Sequence, residues 1–153
     1  CIVVENEVIR QKVNRGINTD EVAEPNSFAI TASITAFEKG GKWLEELKSY
    51  IERNKQMAHA YIKTYLPELH VTPSEATYLL WIDCSHVCKN SLELVEFIRS
   101  TTGLYLSSGE EYGKNAKSFI RMNIACPQER LNDGLKRLRQ GIGNYKKGSE
   151  NYE

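Results

Sequence analysis

Apolar residues recur along the chain with two different periods, and the change between them divides the sequence into a helical first half and a mixed second half. In the first half they recur every three or four residues, the period of an α-helix with one buried face. This spacing predicts three helices, over 7–15, 27–39 and 43–65. Asn6 is positioned to cap the first helix and Gly16 to end it. Gly40 and Gly41 break the pattern before the third.

In the second half, short runs of aromatic and aliphatic residues bounded by turns alternate with amphipathic segments. The runs predict strands over 76–82, 104–106 and 118–125. The amphipathic segments predict helices over 91–102 and 128–145, and the Gly-, Ser- and Asn-rich stretch predicts a loop over 107–117. Three consecutive β-branched residues also predict a strand end at 2–4. This order of elements predicts an α+β layer with a small sheet.

Composition narrows the classes of function. The chain has 153 residues, of which 41% are hydrophobic, and its 20 Lys and Arg residues balance 20 Asp and Glu residues. A net charge of zero disfavours a nucleic-acid partner or a polybasic membrane patch. The apolar runs are far shorter than the roughly 18 residues that span a bilayer, so no membrane association is expected. Because residue 1 is Cys and not Met, we expect an internal piece or a processed product.

The segment Cys84-Ser-His86-Val-Cys88 could supply three zinc ligands. A fourth ligand is not evident, because His59 and His70 are isolated in the sequence. The favoured interpretation is a strand end followed by a loop, with reduced thiols in a cytoplasmic protein and no metal site.

Four further segments are distinctive, and their order carries a resemblance. They are Pro25–Phe28, Gly40–Leu44, Glu75–Asp83 and Phe119–Pro127. Together they resemble the C-terminal part of fold-type I pyridoxal-phosphate (PLP) enzymes, and most of all the MalY/PatB group of cystathionine β-lyases. The resemblance implies the small C-terminal domain of that fold, with a mostly antiparallel sheet and a long connecting helix. It divides the chain into an N-terminal helical segment over 1–41, the small domain over 42–147, and a polar tail over 148–153.

Arg121 is the main candidate site residue. A guanidinium within an apolar strand is costly to bury without an anionic partner, although strand arginines are more often exposed or paired with a surface carboxylate. The resemblance implies that Arg121 binds the α-carboxylate of an amino-acid substrate. Asn123 lies two residues on, facing the same side of the strand, and is either a support for Arg121 or an exposed amide. Tyr78 is expected to pack in the core.

The resemblance also implies an activity. The full-length enzyme would be a PLP-dependent homodimer that converts cystathionine or a cysteine S-conjugate to a thiol, pyruvate and ammonia. In the family the Schiff-base lysine precedes the segment matching 2–4, so this chain is expected to lack it, to bind no cofactor and to be inactive alone. The loop over 107–113 would border the mouth of the active site. Two alternatives stay open: an aminotransferase of the same fold, and a free-standing binding or interaction domain without catalysis.

Overall fold

The computed structural model describes residues 2–21 and 24–150. The helices within these ranges are α1 (Glu7–Thr19), α2 (Ala29–Lys39), α3 (Gly41–Tyr65), α4 (Ser91–Thr102) and α5 (Gln128–Glu150). The strands are β1 (His70–Val71), β2 (Leu79–Asp83), β3 (Ser107–Ser108) and β4 (Phe119–Asn123). Two short 3-10 helices, Gly109–Tyr112 and Lys114–Ala116, connect β3 to β4.

The chain divides into two compact units, Cys1–Glu45 and Glu46–Glu153. In the first unit, the Asn6 side chain caps α1 by accepting a hydrogen bond from the backbone N–H of Ile9 at 3.1 Å, as predicted. Neither α1 nor α2 has a buried residue, and α2 exposes several large apolar side chains.

The second unit contains a four-stranded antiparallel sheet in the order β1-β2-β4-β3. β4 lies in the middle, so Arg121 is opposite Trp81 of β2 on one side and opposite Ser107 of β3 on the other. The α+β class with a small antiparallel sheet and a long preceding helix is therefore confirmed.

One face of this sheet forms the core. Leu80 and Ile82 of β2 and Ile120 and Met122 of β4 join a single hydrophobic cluster with buried residues of α3, α4 and α5. The face predicted for the last helix is buried at every position: Leu131, Leu135, Leu138 and Ile142 are each at most 1% exposed. Helices α4 and α5 approach closely where a Cβ on Gly141 would lie only 2.8 Å from Cγ1 of Ile98.

Several predicted boundaries were wrong, and the reasons are physical. Helix α1 continues past Gly16 to Thr19, because a helical glycine weakens a helix without ending it. Residues 104–106 form no strand; the pairing with β4 starts at Ser107, opposite Arg121. Residues 2–4 form no strand within the described ranges, since nothing pairs with them there. Helix α5 runs five residues beyond 145, and β1 was not anticipated.

Tyr78 does not pack in the core, contrary to the prediction. It precedes the first paired residue of β2, and its side chain is 48% exposed. The backbone of Thr77 adopts φ 69°, a left-handed conformation that β-branched residues rarely take. Tyr78 therefore follows a turn and lies outside the paired part of the strand.

The thiols of Cys84, Cys88 and Cys126 are free, as predicted. Cys84 and Cys88 belong to the hydrophobic core, whereas His86 between them is exposed. Burial raises the pKa of Cys84 far above its ordinary value and that of Cys88 to about 11. Both thiols are therefore protonated near neutral pH and act as small apolar core groups.

Candidate functional site

The sheet face opposite the core carries the candidate site. Side chains alternate between the two faces of a strand, so Arg121 lies on the face away from buried Ile120 and Met122. Trp81, directly opposite Arg121 on β2, is on the same face. The β4 residues on this face, Phe119, Arg121 and Asn123, are partly or fully exposed, whereas Ile120 and Met122 on the other face are buried.

The Arg121 side chain is held by two contacts. Its Nη2 donates a hydrogen bond to Oγ of Ser107 at 3.2 Å. Its Cζ lies 4.6 Å from the centre of the Tyr112 ring, which is cation–π distance. Within residues 2–21 and 24–150 no carboxylate forms an ion pair with Arg121. A half-buried guanidinium without a carboxylate is suited to an anion from outside the chain.

An aromatic cluster supports this arginine. The Tyr112 ring meets Trp81 edge-on, with centroids 5.7 Å apart and an angle of 79° between the planes. Trp81 in turn stacks on Phe119 with centroids 5.5 Å apart and an angle of 13°. These are favoured aromatic geometries, so the ring under Arg121 is itself fixed.

The segment 107–113, which the glycine content predicted to be a loop, has a defined conformation. Ser108 is buried, and its hydroxyl forms a hydrogen bond with that of Ser91 at 2.9 Å. The Ser108 Oγ also accepts from the backbone N–H of Glu110 at 3.2 Å, which caps the 3-10 helix that carries Tyr112. Ser107 and Tyr112 are therefore anchored to the body of the unit on both sides of this bend.

Asn123 and Arg121 share no hydrogen bond within the described residues. Asn123 is exposed, and its Oδ1 accepts a hydrogen bond from the backbone N–H of Ala125 at 2.8 Å, which closes a turn after β4. The structure thus brings Arg121 together with Ser107 and Tyr112 and leaves Asn123 at the end of the strand. A supporting role for Asn123 stays a prediction.

The chain that leaves β4 is fixed by α3. Asn54 is fully buried, and its Nδ2 donates to the carbonyl oxygens of Ile124 at 2.8 Å and of Cys126 at 2.9 Å. The Tyr50 hydroxyl accepts from the backbone N–H of Gln128 at 3.1 Å, at the start of α5. Buried bonds of this kind rigidify the strand end next to Arg121.

The described residues contain neither a metal-binding cluster nor a membrane-spanning helix. Within residues 2–21 and 24–150, no group of three or more His, Cys, Asp or Glu side chains is placed to hold a metal ion. Over the same ranges, no helix is both long and apolar enough to cross a membrane.

Sequence reasoning missed Ser107 and Tyr112. Ser107 was placed in a predicted loop, so the sequence did not predict that it pairs with Arg121 on the neighbouring strand. Tyr112 lies nine residues before Arg121 in a Gly-rich stretch, and no periodic pattern connects the two. An aromatic residue between two glycines close to a strand arginine is the signal that could have suggested the contact.

No protein-family model matches the chain. Among curated proteins it is similar to cystathionine β-lyase PatB of Bacillus subtilis, with 33% identity over 142 residues that cover 93% of this chain and 37% of PatB. It is also similar to protein MalY of Escherichia coli, with 28% identity over 123 residues that cover 80% of this chain and 32% of MalY. The chain is similar to the C-terminal part of the fold-type I PLP proteins of the MalY/PatB group. The resemblance stated from the four segments is thereby confirmed.

Solved structures of PLP-bound proteins are also similar to the chain. The PLP-bound C–S lyase of Staphylococcus hominis matches with a TM-score of 0.78 and 28% identity, over 92% of this chain and 34% of that protein. Aminotransferases also occur among the matching structures. The chain spans about a third of the length of the MalY/PatB relatives that it matches.

Proposed function

We propose that this chain supplies the substrate-carboxylate site of a PLP-dependent C–S β-lyase, with Arg121 as the residue that binds the α-carboxylate. The observation that carries the proposal is the guanidinium of Arg121, held on an aromatic face without a carboxylate partner in the described chain. The similarity to PatB and to the C–S lyase of S. hominis supports the reaction class.

The geometry suits this task. A guanidinium has five N–H donors, and in the described chain one of them is used, in the bond to Ser107. The remaining donors can form two parallel hydrogen bonds to a carboxylate, which fixes both its position and its plane. Because the sheet and the Tyr112 ring hold the guanidinium in advance, little freedom is lost when the substrate binds.

The lysines next to the candidate site do not suit a Schiff base with the cofactor. A Schiff-base lysine works as a nucleophile in a desolvated environment, but Lys114 and Lys117, the lysines nearest to Arg121 in sequence, are exposed. We therefore assign PLP, which supplies an electron sink for amino-acid chemistry, to residues outside this chain in a full-length homodimeric enzyme. On this proposal the chain alone orients the substrate and does not turn it over.

A second candidate is an aminotransferase, because aminotransferases are among the matching structures and a carboxylate-binding arginine serves either reaction. A non-catalytic binding domain is the third. The presence of Arg121 does not distinguish these three functions. Analysis of the reaction products separates them, whereas a measurement of substrate affinity does not.

The test is a product analysis of the purified full-length enzyme with cystathionine. We expect thiol, pyruvate and ammonia in equal amounts without any added α-keto acid. Amino-group transfer that depends on an α-keto acid, with no thiol released, would establish the aminotransferase instead. Neither reaction, with any of several cysteine S-conjugates, would leave the binding domain as the answer.

A further inference from the structure

We propose that Tyr112 and Ser107 are positioning residues that hold the Arg121 guanidinium in the plane required to bind a carboxylate through two parallel hydrogen bonds. The inference rests on the proposed role of Arg121. It adds two side chains that contact the arginine and not the substrate.

The two contacts constrain different motions of the guanidinium. The Arg121 Cζ lies over the Tyr112 ring, 4.6 Å from its centre, and the ring limits movement of the guanidinium on that side. The Ser107 hydroxyl accepts from Nη2 at 3.2 Å and resists rotation within the plane. An arginine side chain has several rotatable bonds, so without both contacts the donors would sample many directions.

Both positioning residues are held by the backbone that connects them. Ser107 is fixed by its pairing with β4, and Tyr112 ends the 3-10 helix that begins at Gly109. Gly109 is buried where a Cβ would collide with the carbonyl oxygen of Ala116 and lie 2.7 Å from that of Phe119. The bend can therefore approach β4 this closely only with glycine, and this close approach brings both Ser107 and Tyr112 into contact with the same guanidinium.

Burial does not account for Tyr112. Its side chain is 48% exposed, so a leucine in its place would lose little apolar contact with the core. The chain contains a matched pair elsewhere: Cζ of Arg139 lies 4.7 Å from the Tyr65 ring, and Tyr65 is 46% exposed. Tyr65 also packs on a second aromatic ring, that of Tyr61, at 4.7 Å. Tyr65 thus matches Tyr112 in exposure, in its contact with an arginine and in its contact with a second aromatic ring, but its arginine is not Arg121.

The experiment compares Tyr112→Leu, Tyr112→Phe, Ser107→Ala and the control Tyr65→Leu in the full-length enzyme. We expect Tyr112→Leu to raise KM for an S-substituted cysteine about 3- to 10-fold, the range of a partly exposed cation–π contact. Tyr112→Phe keeps the ring face and should stay within about 2-fold, and Ser107→Ala should raise KM about 3-fold. Tyr65→Leu should leave KM unchanged.

Two further measurements separate positioning from a general structural effect. Inhibition by the decarboxylated amine analogue should be unaffected in Tyr112→Leu, because that ligand does not use the guanidinium. In the Arg121→Ala background, Tyr112→Leu should add no further increase in KM, since the two residues act as one unit. Equal weakening of the amine analogue, or an additive effect in the double variant, would overturn the proposal. If Arg121→Ala itself leaves KM unchanged, the proposed function fails first, and the positioning role fails with it.

Discussion

Replacing Arg121 by alanine removes the only Lys or Arg side chain on the described strands, and with it the proposed partner of a substrate carboxylate. The loss of one partner of a close, hydrogen-bonded charge pair costs about 2–5 kcal/mol when the other charge stays buried. Arg121 is half-buried, and its aromatic neighbours are themselves partly exposed, so the lower end of this range applies. A loss of about 2 kcal/mol corresponds to a decrease of about 30-fold in kcat/KM.

The assay is steady-state release of thiol from cystathionine by the full-length enzyme. The decrease should lie mainly in KM if Arg121 grips the ground state and the transition state alike, and should extend into kcat if it also orients the bond that is broken. Arg121→Lys should recover little activity. An ammonium can lie over the Tyr112 ring, but it cannot form the planar pair of hydrogen bonds.

The control is Arg139→Ala, which removes an exposed arginine that also packs over a tyrosine ring. It should leave kcat/KM unchanged. The absorbance of the resting cofactor should be the same in all variants, because we assign no cofactor contact to this chain. Near-normal kcat/KM in Arg121→Ala, or a bleached resting cofactor, would show that the carboxylate role is assigned to the wrong residue.

Three further predictions concern stability and are measured by urea denaturation. Asn54→Ala should lower the free energy of unfolding by about 2–4 kcal/mol, because one buried and one part-buried carbonyl oxygen lose their donor. Gly141→Ala should lower the free energy of unfolding by about 1–3 kcal/mol, because the added methyl group clashes with Ile98. Gly143→Ala, whose added methyl group meets nothing within 4 Å, should raise it by about 0.5–1 kcal/mol. Equal effects of the two substitutions would refute the close packing of α4 and α5. Burial raises the pKa of Cys88 from about 9 to about 11, so the folded state keeps a proton that the unfolded state loses, and stability should decrease as the pH rises from about 9 to about 11. Cys88→Ala should reduce that decrease, and an unchanged pH dependence would contradict the assignment.

The sequence by itself determined most of the helices and the fold class. Helix α4 was predicted at its observed bounds from the helical period of its apolar residues. The structure adds that Asn90 caps it and that Gly103 ends it in a left-handed conformation. The buried face of α5 was equally readable from the spacing of its leucines. Such features depend on residues close together in the chain, and local sequence carries them. Arg121 could also be identified as a candidate from the sequence, because a charged residue within an apolar strand stands out without any structure.

The surroundings of Arg121 were decided only by the tertiary structure. Ser107 reaches it through strand pairing across 14 positions, and Tyr112 reaches it through a bend that depends on the missing side chain of Gly109. Tyr78 was predicted to pack in the core because aromatic side chains usually do, but it precedes the first paired residue of β2, follows a left-handed turn at Thr77 and is exposed. Pairing register and backbone bends depend on which distant segments meet, and a pattern of apolar and polar positions along the chain does not contain that information.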